Sequence, residues 1–275
     1  MQEGGVARGS ARVPQRGGGS RMETRTVVRG PARIGWHAWG AGPAVLLLAS
    51  LGRGAEDFCE VGPLVAQAGF RVLAPDPRGI GESEGPMHGL TLYHLAEDAA
   101  AVLAAEAVGP ALVAGHAFGN WVARALSACR PQAVRRVALL AASVTQTLDP
   151  AMRAAINGSF DPALSEAERL GHLQRGYFAP GHDARVWLAG WHPPVAAMQR
   201  EATAATDDHW RRCADRHETL YVAAAQDMIA PVPTLEALRA ALGDSVTLSV
   251  IEDAGHALLP EQPRAVAEAL IRFAT

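Results

Sequence analysis

Residues 113–119 read Val113-Ala114-Gly115-His116-Ala117-Phe118-Gly119, and the reading of these seven decides the fold. An apolar strand runs into one glycine, and a second glycine four residues on opens a helix. This matches the strand–Gly-x-Ser-x-Gly–helix pattern, in which the glycines permit a sharp turn that holds the central side chain up into a pocket. Here the centre is Ala117, which has no hydroxyl. Two questions separate: which architecture the turn belongs to, and what chemistry remains without that oxygen.

Working outward, strand and helix alternate. Short strands are expected at 24–28 and 34–39. Ala44–Ala49 (AVLLLA) is a continuous apolar run, as a strand buried on both faces requires. A helix is expected over 56–67, stopped by Gly69, then a strand at 71–74 broken by Pro75 and Pro77. Further helices are expected at 92–107 and 118–128, and strands at 111–114 and 134–141. The rhythm breaks between Ser143 and His217, a helix-rich stretch with a capping-type start at Ser165-Glu166-Ala167-Glu168 and a break at Pro193-Pro194. It resumes with a strand at 219–225, a helix at 232–242, a strand at 246–251 and an amphipathic helix at 261–273. Such alternation predicts a parallel sheet covered on both faces, interrupted by one helical insertion.

Bulk properties narrow the classes. The 275 residues suit one large domain or a core with an inserted subdomain, and a net charge of −3 gives nucleic acid or an anionic membrane no electrostatic attraction. All 25 basic residues are arginine, which excludes Schiff-base chemistry and a P-loop lysine. Cys59, Cys129 and Cys213 lack metal-site spacing and read as reduced thiols of a cytoplasmic protein. No apolar run reaches the ~18–20 residues of a membrane span. Residues 1–22 read as a solvated tail or an extension before a start at Met22, with no secretory signal.

Four segments together resemble the α/β-hydrolase family from about residue 24 onward. They are the elbow 115–119; the loop Asp76-Pro77-Arg78-Gly79-Ile80-Gly81-Glu82-Ser83; Asp227 just past the strand at 219–225; and His256 in Ala254-Gly255-His256 before the last helix. The resemblance implies an α/β fold with a mostly parallel, eight-stranded sheet flanked by helices. The core would be 23–142 and 218–275, with a helical cap at 143–217. It implies a cofactor-independent hydrolase of the carboxylic-ester type, acting on a small-molecule substrate. Ala117 would occupy the nucleophile position, Asp227 would orient the base His256, and the Leu51 and Phe118 amides would form the oxyanion hole. The chain departs from the family at Ala49-Ser50, where many members have His-Gly. No metal site is expected.

Arg78 and Ser83 are expected to stabilise their loop, Asp98 to be a structural or solvated charge, and His116 to support the turn. Aromatics of the insertion point to an apolar pocket for a moderately hydrophobic acyl group, with Trp187, Trp191 and Trp210 as candidate lining. His192 and His209 are candidates for the pocket or the surface. Ala117 itself admits three readings: a serine-to-alanine substitution that traps substrate, a natural hydrolase using Ser50 or a water activated by His256, or a non-catalytic ligand-binding relative.

Overall fold

The computed structural model describes residues 21–144 and 148–275; the expectation of a tail falls almost entirely outside them. Eight strands form one sheet: β1 (Glu23–Arg29), β2 (Ala32–Trp39), β3 (Ala44–Leu48), β4 (Arg71–Pro75), β5 (Ala111–His116), β6 (Val134–Leu140), β7 (Thr219–Ala224) and β8 (Val246–Ile251). Their order is β1-β2-β4-β3-β5-β6-β7-β8. β2 runs antiparallel to β1 and β4, and the pairings from β4 through β8 are parallel. β3, β5 and β7 are buried along their whole length. Successive side chains on such a strand enter opposite layers: Leu46 and Val113 join one core, and Leu47 and Leu112 the other.

Helices α1 (Val61–Gln67), α2 (Leu92–Ala105) and α3 (Gly119–Cys129) follow β3, β4 and β5. The expected helix at 56–67 is in fact a 3₁₀ turn, Ala55–Phe58, and then α1. Pro63 explains the interruption, because a residue without an N–H belongs in a first turn and not mid-helix. Between β6 and β7 lie α4 (Pro150–Ser159), α5 (Glu166–Gly176) and α6 (Pro193–Ala204). Ser165 and Glu168 form the capping box that starts α5. Pro193-Pro194 does not merely break the chain; its fixed φ angles start α6. The last elements are α7 (Leu235–Leu242), the short α8 (Leu258–Glu261) and α9 (Pro263–Ala274). Thr234 caps α7 and Pro263 opens α9, so the expected helices at 232–242 and 261–273 are respectively shortened and divided.

The loop after β4 is internally tied. The Ser83 hydroxyl donates to the Asp76 carbonyl and accepts from the Gly35 amide, and Arg78 pairs with the buried Asp98 through two hydrogen bonds of 2.7 and 3.0 Å. All three residues act structurally.

The β5–α3 turn shows why its glycines are needed. A Cβ on Gly115 would stand 2.2 Å from the Gly119 carbonyl oxygen, and one on Gly119 would stand 2.1 Å from that of Leu48. Both contacts are with backbone, which has nowhere to move. Gly119→Ala is therefore expected to destabilise the fold by more than about 3 kcal/mol, read as a lowered urea midpoint. Ala117 sits between them at φ 45°, a left-handed conformation that side chains rarely adopt.

Candidate active site

Four loops meet at the carboxyl ends of β3, β5, β7 and β8, bringing together Ser50 and Leu51, Ala117 and Phe118, Asp227, and His256. Ser50, Leu51, Ala117, Phe118 and His256 line one cavity of about 720 Å³, while Asp227 lies behind His256. Crevices at the carboxyl ends of parallel strands are where open α/β sheets place their ligands.

Asp227 is buried, and each of its oxygens is engaged. Oδ1 accepts the amides of Ile229 (2.8 Å) and Ala230 (2.7 Å), and Oδ2 faces His256 Nδ1 at 2.8 Å. An ionised carboxylate only accepts, so Nδ1 carries the proton and the Nε2 lone pair is left for the cavity. The two amide bonds fix the carboxylate, the carboxylate fixes the imidazole tautomer, and the base is held in one orientation.

The His256 backbone is fixed as well. Nε2 of His116 lies 2.8 Å from the His256 carbonyl oxygen and donates to it. Glu261 accepts from the amides of Gly255 and Ala179, both at 2.7 Å, and the Ala257 amide donates to the Tyr177 carbonyl. Burial pushes the Glu261 carboxyl up. His116 is fully buried, and burial, reinforced by the nearby His256, pushes its pKa down to about 3. It is thus a neutral strut behind the base, and its side chain supports the His256 loop where the sequence suggested support of the elbow turn.

Ala117 presents a methyl group to the cavity at the position the elbow reserves for a nucleophile. The Phe118 amide stands at the α3 N-terminus, where helix N–H groups lack internal acceptors. The loop carrying Leu51 is braced by the helical segment: Gly52 N–H donates to the buried Gln199 (2.7 Å), and His192 N–H donates to the Gly52 carbonyl (2.8 Å). Ser50 is buried and borders the cavity, but among the described residues its hydroxyl has no hydrogen bond to His256.

Trp187, Trp191 and Trp210 are placed elsewhere than the cavity wall. Trp187 and Trp191 flank the guanidinium of Arg53 at 4.4 and 4.7 Å, and Trp210 carries that of Arg124 at 4.6 Å. Indole faces attract cations, and these rings are committed to arginines. His209 is a surface residue beside Asp207, and His192 precedes α6; neither lines the cavity. The wall is instead formed by Tyr177, one of the insertion's aromatics, with Trp121 and Ile229 and with Arg124, Arg153, Arg200 and Arg211; apart from Tyr177, the sequence pattern singled out none of these. Arg124 carries a readable signal, being a charge set into the apolar face of α3. Among the described residues no group of three or more His, Cys, Asp or Glu is placed to hold a metal ion.

The sheet order, the elbow and the acid–histidine pair define a hydrolase class, and a model of the alpha/beta hydrolase family matches residues 35–269, so the chain belongs to that family. The chain is 28% identical over 231 residues to a 2-hydroxymuconate semialdehyde hydrolase of Pseudomonas sp. (strain CF600), covering 76% of this chain and 79% of that one. It is 29% identical over 171 residues to a bifunctional epoxide hydrolase 2 of Sus scrofa; the match spans 57% of this chain and only 31% of that protein. A meta-cleavage product hydrolase from Pseudomonas fluorescens IP01, solved as a serine-to-alanine mutant complexed with acetates, superposes with a TM-score of 0.73. It is 19% identical, with 90% of this chain and 96% of that one covered.

Proposed function

We propose that the chain is a hydrolase of the carboxylic-ester type in which His256 activates water directly. The observation that carries this reading is the complete Asp227–His256 pair, with Nε2 turned to a cavity that Ala117 also lines. Water bound beside Ala117 attacks the acyl carbonyl and passes its proton to Nε2 of His256. The developing oxyanion is met by the Leu51 and Phe118 amides, and Asp227 stabilises the imidazolium. Collapse expels the alcohol, which takes the proton from His256. The segment 143–217 serves as a cap, and the apolar wall of Phe118, Trp121 and Ile229 suits a small, moderately hydrophobic acyl group. Three free cysteines fit a cytoplasmic setting, and the mechanism uses no cofactor.

The experiment is hydrolysis of short 4-nitrophenyl esters by the chain and by His256→Gln. General-base catalysis is expected to lose roughly 10²–10⁴-fold in the variant. The missing hydroxyl at 117 favours a second reading, a binding protein; it would show no turnover above background in either form while still retaining a ligand. A Ser50 nucleophile would instead be marked by a fluorophosphonate label that Ser50→Ala removes.

A further inference from the structure

The cavity wall carries four arginines, Arg124, Arg153, Arg200 and Arg211, and among the described residues no aspartate or glutamate. The concentration stands out because the chain as a whole is slightly acidic. Arg211 pairs with Asp208 at the surface. Arg153, Arg200 and Arg124 form no ion pair with any described residue, whereas Arg53, Arg71 and Arg78 elsewhere are each matched to a carboxylate.

Arg124 is the decisive member. It is 3% exposed, yet its contacts are neutral: Nε and one Nη donate to the Arg211 carbonyl, the other Nη donates to the Asn120 side-chain oxygen at 3.2 Å, and the ring of Trp210 lies against its face. Burial pushes its pKa down to about 10, which leaves it a cation at neutral pH. A buried charge without a counter-charge is costly, and a low-dielectric wall strengthens its pull on an anion in the cavity. Three hydrogen bonds also leave two of its five N–H groups to donate. Arg200, held by Asn157 at 2.8 Å, and Arg153 extend the positive wall from α6 and α4.

We propose that this arginine wall binds a carboxylate on the substrate, so that the ester cleaved at His256 is one end of a molecule whose other end is anionic. This rests on the hydrolase reading above and gives it a substrate class. The spacing follows from the helix. Arg124 is five residues along α3 from Gly119, roughly 8 Å at 1.5 Å per residue. Long helix side chains lean back toward the helix N-terminus, which brings the guanidinium nearer the elbow than that backbone rise, so a carboxylate about five carbons from the scissile carbonyl is in reach, as in a monoester of a short dicarboxylic acid.

The test is calorimetric titration of the chain as it stands with monomethyl adipate and with dimethyl adipate. The monoacid is expected to bind roughly ten- to a hundred-fold more tightly, and added salt to shrink that ratio. Arg124→Leu should cut the ratio about ten-fold, and Arg124→Lys should recover part of it by restoring charge without the planar fork. Arg200→Ala, at an exposed position, should also lower it. Equal affinity for the two esters, or a ratio untouched by both Arg124→Leu and Arg200→Ala, overturns the proposal. Because binding is read without turnover, an inactive chain that still prefers the monoacid would sink the hydrolase reading and leave the arginine wall standing.

Discussion

Ala117→Ser is expected to raise the turnover of short aryl esters by roughly 10³-fold or more, the largest gain expected of a single change in this chain. Removing the serine from a working triad costs on the order of 10⁶ in kcat, and the groups that remain account for only about 10³–10⁴ over water. The chain already holds what the added oxygen requires. Ala117 has adopted the strained φ of 45° that an elbow nucleophile needs, so an added hydroxyl brings little further backbone cost. The turn is locked by the Ala117 amide donating to the Leu140 carbonyl at 2.9 Å, and by the Asn120 side-chain amide donating to the Ala117 carbonyl. His256 has its Nδ1 proton committed to Asp227, which leaves Nε2 as the acceptor for a serine proton.

The check has two readouts. Turnover of 4-nitrophenyl esters should appear with burst kinetics, and a fluorophosphonate should label the variant at position 117 and not the parent chain. Asp227→Asn in the same background should take back most of that gain, because the amide favours the wrong imidazole tautomer. A gain below about ten-fold with the fold intact would mean that Nε2 is not aimed at position 117. The site would then be a binding pocket that keeps the family's framework without its chemistry.

Those parts of the molecule that local chemistry dictates were legible in the sequence. AVLLLA at 44–49 has no polar side to turn to solvent, so it had to be a central strand, and β3 ends one residue short of that run. Gly115 and Gly119 announced a turn in which a Cβ would collide with backbone, and Asp227 and His256 announced themselves by lying just past strands. What stayed hidden depends on contacts between distant parts of the chain. The hydrogen bond from His116 to the His256 carbonyl joins residues 140 apart, and the Glu261 bond to Ala179 joins residues 82 apart. Aromatic enrichment in 143–217 promised an apolar lining, but composition does not say which face of an indole is free. Trp187 and Trp191 spend theirs on Arg53, and the cavity receives arginines instead.

His116 leads to the second large effect, a loss of stability in mild acid that a neutral replacement should suppress. In the folded chain its pKa is depressed from 6.5 to about 3, first by burial, then by the proximity of His256 and Arg53, with only the bond to the His256 carbonyl acting the other way. Above pH 6.5 neither folded nor unfolded chain protonates it, and it contributes nothing to pH dependence. As pH falls below 6.5 the unfolded chain takes up a proton that the folded chain refuses. Stability therefore drops by up to about 1.4 kcal/mol per unit until the folded pKa is reached. The full window corresponds to about 5 kcal/mol, comparable with the entire stability of many domains. His116→Gln retains a donor for the His256 carbonyl and removes the titration. Urea midpoints at pH 7.0, 5.5 and 4.5 should show the parent losing about 2–3 kcal/mol more than the variant between the first and last. The variant itself should start lower at pH 7, because an amide fills the imidazole's space imperfectly and cavities in such a core cost about 1–3 kcal/mol. Other groups, Glu261 among them, contribute to each profile, but they are common to both chains and cancel in the difference. Parallel profiles would mean that His116 protonates in the folded state through a path to solvent. The neutral strut behind His256 would then be charged in mild acid, and the base it supports would feel that charge.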